Sequence, residues 1–405
     1  MADINYDLFN PDRARTLREN EKKEIRKKRI KQLGVIVLIL FLFLIIYIIQ
    51  QSRCDYYQYK ESAKSEENGA VAYETFAGGI VKYSSNGIEF QKNYGIANWN
   101  ISISFSQPFI AKTSKYLLLG NRGGNQAILF SPNGMVHEYT MKFPIVQMSV
   151  AENGTIEAIL KGDNCNYIQI YTSEGNMIAE TKVTLGETGY PLTAAMSPDG
   201  KQLAVSSYII ENLTAKTRIT FYDFSQQIQA DGIPLKGGFD YEDNLVPRLH
   251  FLGKNKVVAI GDRASYTYNL SNVPKETKRE EFEESIESVF IGDNYFGYVC
   301  DNEDPDVEGR YHLFLYDKSG DLKVDPILDM NYQDIYMIGD DIIATKDNEC
   351  TIINKHGNII FQGVLDGSRI EKVLPCEGWR TYRVVFTNKI VKMKLSFFEQ
   401  KDKVE

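Results

Sequence analysis

From Gln32 to Ser52 the chain carries no charged residue, and Val35 to Ile46 are apolar at every position. These 21 residues match the roughly 20 that a helix needs to cross the hydrocarbon core of a bilayer. The run divides the chain into a short basic arm and a much larger second part. Read as a span, it puts the two on opposite sides of a membrane.

Charge sets the expected direction. Residues 1–31 hold ten Lys/Arg against six Asp/Glu, a net of +4; the whole chain is −8, so the remainder is −12. Seven of the ten residues before Gln32 are Lys or Arg, and only Arg53 and Lys60 follow closely. Basic residues beside a span stay cytoplasmic. The expected topology is a single-pass cell-membrane protein, N-terminus cytoplasmic and C-terminal domain extracytoplasmic. The apolar run is longer than the 7–15 residues of a cleaved signal peptide, and no small-residue cleavage site follows it. Cys54 suggests a lipoprotein, but Arg53 before it does not suit that motif. A retained signal anchor is therefore expected, and the composition of residues 12–31 allows the helix to extend back through the arm.

The part beyond the span reads as all-β. The chain holds 25 Tyr, 21 Phe and 30 Gly, which suits short strands with turn punctuation. Several strands end in an aromatic residue followed by a glycine turn, as in Phe130-Ser-Pro-Asn-Gly134, Tyr171-Thr-Ser-Glu-Gly175 and Tyr316-Asp-Lys-Ser-Gly320; Ile353-Asn-Lys-His-Gly357 varies the theme. Aligning these ends exposes a repeat. Phe90, Phe130, Tyr171, Tyr222, Tyr268, Tyr316, Ile353 and Met393 follow one another at intervals of 37 to 51 residues. Such a period, with three or four strands per unit, predicts propeller blades. One unit is complete: Ala194–Ser206 reads strand, Ser-Pro-Asp-Gly turn, strand. The expected fold is a β-propeller of about eight blades, seven being possible, preceded by one transmembrane helix; a pair of β-sandwiches is the alternative. The last unit has three strands, and an early strand such as Val71–Phe76 is expected to complete it. The polar stretch Pro274–Ser285 reads as a loop. The expected boundaries are 1–31 (basic cytoplasmic arm), 32–52 (signal-anchor helix), 53–69 (linker), 70–396 (propeller) and 397–405 (charged tail).

The Ser197-Pro198-Asp199-Gly200 unit resembles WD-repeat and YVTN-type propellers in its turn chemistry. Three further stretches extend the likeness: Gly189-Tyr190-Pro191-Leu192, Thr220-Phe221-Tyr222-Asp223-Phe224, and Gly237-Gly238-Phe239-Asp240-Tyr241-Glu242-Asp243 with Val246-Pro247 after it. Together with the apolar run, they resemble an uncharacterised family of Firmicute single-span membrane proteins with a propeller-like exported domain. The resemblance implies fold and topology over most of residues 70–395. It implies no activity and no catalytic residues.

The residues themselves specify no reaction. There is no P-loop, dinucleotide fingerprint, His-Glu-x-x-His, Cys-x-x-Cys or Gly-x-Ser-x-Gly. His137, His250, His312 and His356 fall in different units without equivalent placement. Cys54, Cys165, Cys300, Cys350 and Cys376 are irregularly spaced. Buried free thiols are expected, with a disulfide among the last four left open. The acidic run at residues 301–309 departs from a calcium loop, because Pro305 takes the fifth position and Asp306 stands where Gly is needed. No catalytic, cofactor-binding or metal-binding residue is assigned, and no cofactor is expected. Phe239, Asp240, Tyr241, Glu242 and Asp243, read as a loop that follows a Gly237-Gly238 turn, combine aromatics with carboxylates between two units, and are the candidate partner-binding residues. The acidic balance speaks against nucleic acid, whose phosphates need clustered Lys/Arg. The reading is a non-catalytic binding or scaffold module for envelope proteins or polymers, held to the membrane through residues 32–52. The alternatives are an exported hydrolase or lyase with a channel-mouth site, or a ligand sensor signalling through the span.

Overall fold

The computed structural model describes residues 11–64, 71–92, 96–184, 188–211, 213–225, 234–302 and 307–399, with the side chains of 11–24 and 61–64 left aside. The chain forms two units, one ending at Ser52 and one beginning at Arg53. The first contains a single helix, Pro11–Gln51. It is continuous through the basic arm because Leu, Ile, Lys, Arg and Glu are good or tolerated helix formers. Ser52 Oγ donates to the Ile48 carbonyl at 2.7 Å just past its end. The segment Ile25–Gln51 is long and apolar enough to cross a membrane.

The second unit is a ring of eight antiparallel sheets. Blades 1 to 7 occupy residues 72–102, 108–140, 145–183, 190–242, 248–281, 286–328 and 334–364. Each has four strands in sequence order, and blade 6 adds the short strand Ile327–Leu328. First strands of several neighbouring blades, such as Ile145–Val150 and Tyr190–Met196, lie side by side, and first strands line the inner wall. The eight residues aligned in the sequence all fall on the third strands of successive blades. The hairpin glycines Gly134, Gly175, Gly320 and Gly357 all have positive φ, a region that glycine enters without steric cost.

Blade 8 corrects the expected closure. It consists of Ile370–Pro375, Thr381–Phe386 and Lys389–Ser396, completed by Tyr56–Lys64 from the other end of the unit. Tyr56 pairs with Ser396 and Lys64 with Lys389, with a register shift between Tyr59 and Glu61. Val71–Phe76 does not close the ring: Ala72–Phe76 is the inner strand of blade 1. Residues 53–69, expected as a linker, hold the closing strand. Its sequence, Tyr-Tyr-Gln-Tyr-Lys-Glu-Ser-Ala-Lys, lacks a long apolar run because an outermost strand has one fully paired edge and much solvent. The same reasoning corrects Pro274–Ser285, of which Lys275–Glu281 is the exposed outer strand of blade 5.

Middle strands read differently. Leu117–Asn121, Ile156–Lys161, Lys256–Ile260 and Asp341–Lys346 each contain at least four consecutive buried residues. Both faces of such a strand are covered by neighbouring blades, so alternation gives way to continuous apolarity. Among the described residues the core divides into eight clusters, one for each junction between adjacent blades. Blade 4 illustrates how turn and core cooperate. Ser197 Oγ accepts the backbone N–H of Gln202 at 2.9 Å and donates to Asp199 at 2.8 Å, while Gly200 adopts φ 70°. This turn delivers Leu203, Ala204 and Val205 into the junctions on either side.

Candidate functional site

Where inner strands turn back into second strands, they surround a cavity of about 560 Å³ at the ring centre. Six blades contribute to its wall. The apolar part includes Phe76, Met196 and Phe251; the polar part includes Lys112, Gln147, Glu152, His250 and Asp293. Lys112 Nζ reaches the Glu74 carboxylate at 2.6 Å and Thr75 Oγ1 at 2.9 Å. Glu152 accepts from the backbone N–H of Ser114 at 2.9 Å and its hydroxyl at 2.8 Å, tying blade 3 to blade 2. Burial pushes the His250 imidazole pKa down, and the nearby Asp293 charge opposes that shift.

Glu157 lies immediately behind this wall, paired in register with Ser149. It is fully buried, and burial pushes its carboxyl pKa up to about 8. Ser149 Oγ donates to one oxygen at 3.0 Å; the other has no hydrogen-bond partner among the described residues. A carboxyl with no cation beside it stays protonated because burial disfavours the charged form. The channel can therefore present cationic, anionic and apolar groups to a ligand, with a neutral acid behind them. Among the described residues, no group of three or more His, Cys, Asp or Glu is placed to hold a metal ion.

The sequence-derived partner residues lie elsewhere. Residues 237–242 belong not to a loop but to Leu235–Glu242, the outer strand of blade 4. Its pairing with Thr214–Asp223 extends the hydrogen-bond ladder and explains the difference. Phe239 packs between Phe221 and Tyr268, with ring centroids at 6.3 and 5.3 Å. Tyr241 is buried and stacks on Tyr266 at 3.9 Å; its hydroxyl accepts from Tyr268 at 2.6 Å and donates to Glu276. Asp240 takes a bidentate pair from Arg218 at 2.6 and 2.7 Å and a further contact from Lys216 at 2.6 Å. These cations, Arg218 foremost, hold its carboxyl down at about 2. Glu242 and Asp243 are exposed, and Asp243 turns the chain at φ 56°.

All five cysteines are free, with Cys54, Cys300 and Cys350 buried. Burial pushes the thiols of Cys300 and Cys350 up to about 12. Of the histidines, only His250 lines the channel; its position on the inner strand Arg248–Phe251 is the signal that blade assignment would have supplied. Residues 303–306 of the acidic run lie outside the described residues.

This architecture defines the class: a closed eight-blade propeller preceded by one apolar helix. The chain belongs to the DUF5711 family, a family of unknown function, which matches residues 50–395 and so includes the closing strand. No curated protein matches the sequence. Among solved structures, the C-terminal WD40 domain of Sif2 is similar with a TM-score of 0.53 at 12% identity, over 85% of this chain and 99% of that one. BamB from Moraxella catarrhalis has a TM-score of 0.49 at 10% identity, over 84% of this chain and 100% of that one. At such identities the likeness is one of fold alone.

Proposed function

We propose that this protein is a membrane-tethered binding or scaffold module, its propeller held on the extracytoplasmic face to engage an envelope protein or polymer. The observation that carries this reading is the joint between helix and ring. Cys54, two residues beyond Ser52, is fully buried in the junction of blades 7 and 8, and its N–H donates to the Ile360 carbonyl at 2.8 Å. So short a chain between the span and ring closure suits a domain kept at a membrane better than a freely diffusing one. The basic arm supports the N-in direction, and a reporter at the C-terminus active only outside the cytoplasm tests it.

The partner contact is assigned to the exposed acidic end of the outer strand of blade 4, Glu242 and Asp243, with Phe239, Asp240 and Tyr241 as its support. In-cell crosslinking of the full chain should capture a partner. Glu242→Gln with Asp243→Asn should lose it without changing the melting temperature. Capture unaffected by that pair would reject the contact assignment.

A second reading is favoured by one observation: His250, Asp293 and Glu152 line the same cavity. Such a set suits acid–base chemistry on a bound ligand. Turnover of a substrate by the purified protein that disappears in both His250→Gln and Asp293→Asn would decide for an exported enzyme.

A further inference from the structure

We infer that the helix-proximal end of blade 8 is a second membrane contact, a patch of aromatic and basic side chains that rests in the lipid headgroup region. The inference builds on the tethered reading above and adds a surface to it. Trp379, Phe397 and Phe398 border a recess of about 220 Å³ with Gln58, Lys60, Lys394, Leu395 and Ser396. Trp379 is 48% exposed and Phe398 77% exposed. A Trp and a Phe left open together beside two lysines are unusual on a face meant only for water.

Register places this patch at the tether. Tyr56 pairs with Ser396, and Trp379 lies two residues before Thr381, which opens the next strand and pairs with Lys394. Residues 379, 396–398 and 56 therefore share one end of blade 8. Tyr56 lies four residues beyond Ser52, where the helical unit ends. Four residues span at most about 14 Å when fully extended. If the apolar helix crosses a bilayer, covalent reach alone keeps this end of the blade beside the headgroups.

The chemistry fits that location. Trp is enriched at membrane interfaces, where its ring meets acyl chains and its N–H meets water. Lysine stems lie along apolar surface while their ammonium groups reach phosphates. The patch is also held firmly. The Arg380 guanidinium lies over Trp379 at 4.8 Å and Phe397 at 5.3 Å, and its Nη1 donates to the Cys54 thiol at 2.8 Å. Trp379 and Phe397 rings sit 5.9 Å apart. A buried cation thus links the exposed ring to Cys54, near the start of the ring unit.

The chain contains only two tryptophans, Trp99 and Trp379, which makes the inference directly measurable. Trp99, on the outer strand of blade 1, stacks on Phe130 of blade 2 at 4.9 Å and is not among the residues of the blade 8 patch. The full chain is reconstituted into phosphatidylcholine–phosphatidylglycerol vesicles with brominated acyl chains, and tryptophan emission is compared with that in unbrominated vesicles. Vesicle flotation reports helix insertion separately. The expected result is quenching in the wild type, loss of the quenched fraction in Trp379→Phe, and its retention in Trp99→Phe. The comparison of wild type with Trp379→Phe is sufficient if Trp99→Phe folds poorly. A chain that floats with the vesicles but shows no Trp379 quenching overturns the inference while leaving the tether in place; a patch covered by a second copy or another protein would give that result. A chain that does not float overturns both.

Discussion

Blade 8 meets its two neighbours in different ways. Toward blade 7, fifteen buried residues form one cluster, including Cys54, Phe361, Tyr382, Phe386 and Met393. Toward blade 1, the described buried cluster is Tyr73, Ile80, Leu374 and Val385. Polar contacts supplement the thinner seam. The Glu74 carboxylate of blade 1 lies 3.8 Å from Lys372 of blade 8 and 2.6 Å from Lys112 of blade 2. The contrast shows where the ring is closed. Cys54 and, on the closing strand, Tyr57 and Tyr59 add to the blade 7 side, with Tyr57 and Phe361 rings at 5.9 Å. Backbone pairing within blade 8 therefore joins the two ends of the unit, and the seam between the first and last blades carries less apolar packing.

The largest effect expected from this asymmetry is loss of the closing strand. Deleting residues 56–64 leaves blade 8 three-stranded, exposes an edge, and removes the tyrosines from its thick junction. Thermal melting should lose its single cooperative transition. A deletion that melted like the full chain would remove the closing strand's structural role and level the comparison.

Single truncations grade the two junctions. Phe361→Ala should cost about 3–5 kcal/mol, the range for a fully buried aromatic. Leu374→Ala at the seam should fall near the lower end of the aliphatic range, about 2 kcal/mol. Denaturant titration reads both. Equal losses would mean that the seam is as tightly packed as the opposite junction.

Glu157, in blade 3, provides a test of pH dependence away from both junctions. Its folded-state pKa, about 8, exceeds the usual 4.5, so the folded chain binds more protons than the unfolded chain between those values. Stability from this group must therefore fall as pH rises through that window and level off above it. Glu157→Gln should flatten the slope, and unfolding at pH 5.5 and 8.5 measures it. The pH slopes of Phe361→Ala and Leu374→Ala should match that of the wild type, which separates electrostatic from packing effects.

The smallest expected change is at the polar seam. Glu74→Gln weakens its link to Lys112 and Lys372. All three are partly solvent-accessible, so the cost should be about 1 kcal/mol or less and should shrink in high salt. Hydrogen exchange near Ala72–Phe76 should register it before global melting does. A larger, salt-independent loss would show that the seam depends on Glu74 more than on its apolar cluster.

Sequence reading succeeded where structure is local. Blade 4 was legible because its inner strand, Ser-Pro-Asp-Gly turn and second strand are consecutive. The aligned residues from Phe90 to Met393 reveal the blades because most of them are buried near the end of a third strand, ahead of a hairpin turn. The outer strands escaped. Lys275–Glu281 and Tyr56–Lys64 are largely polar, and Gly237-Gly238 looked like a turn. Their strand identity comes from backbone pairing, which accepts almost any side chain on an exposed face. Likewise, the sequence presents Tyr241 as an available aromatic, whereas in the fold Tyr266 stacks on it and Tyr268 bonds its hydroxyl.

The sequence by itself determined the apolar helix, the charge difference across it, the all-β composition and the blade period. These are properties of neighbouring residues: continuous apolarity, local charge and recurring turn chemistry. Only tertiary structure decided which strand closes the ring, which histidine faces the channel, and which aromatics are buried. Those depend on residues brought together across the chain, as when Cys54 meets Arg380 and Tyr56 pairs with Ser396. A local pattern can specify a strand, but its partner is fixed by which strand edge the rest of the ring leaves unpaired.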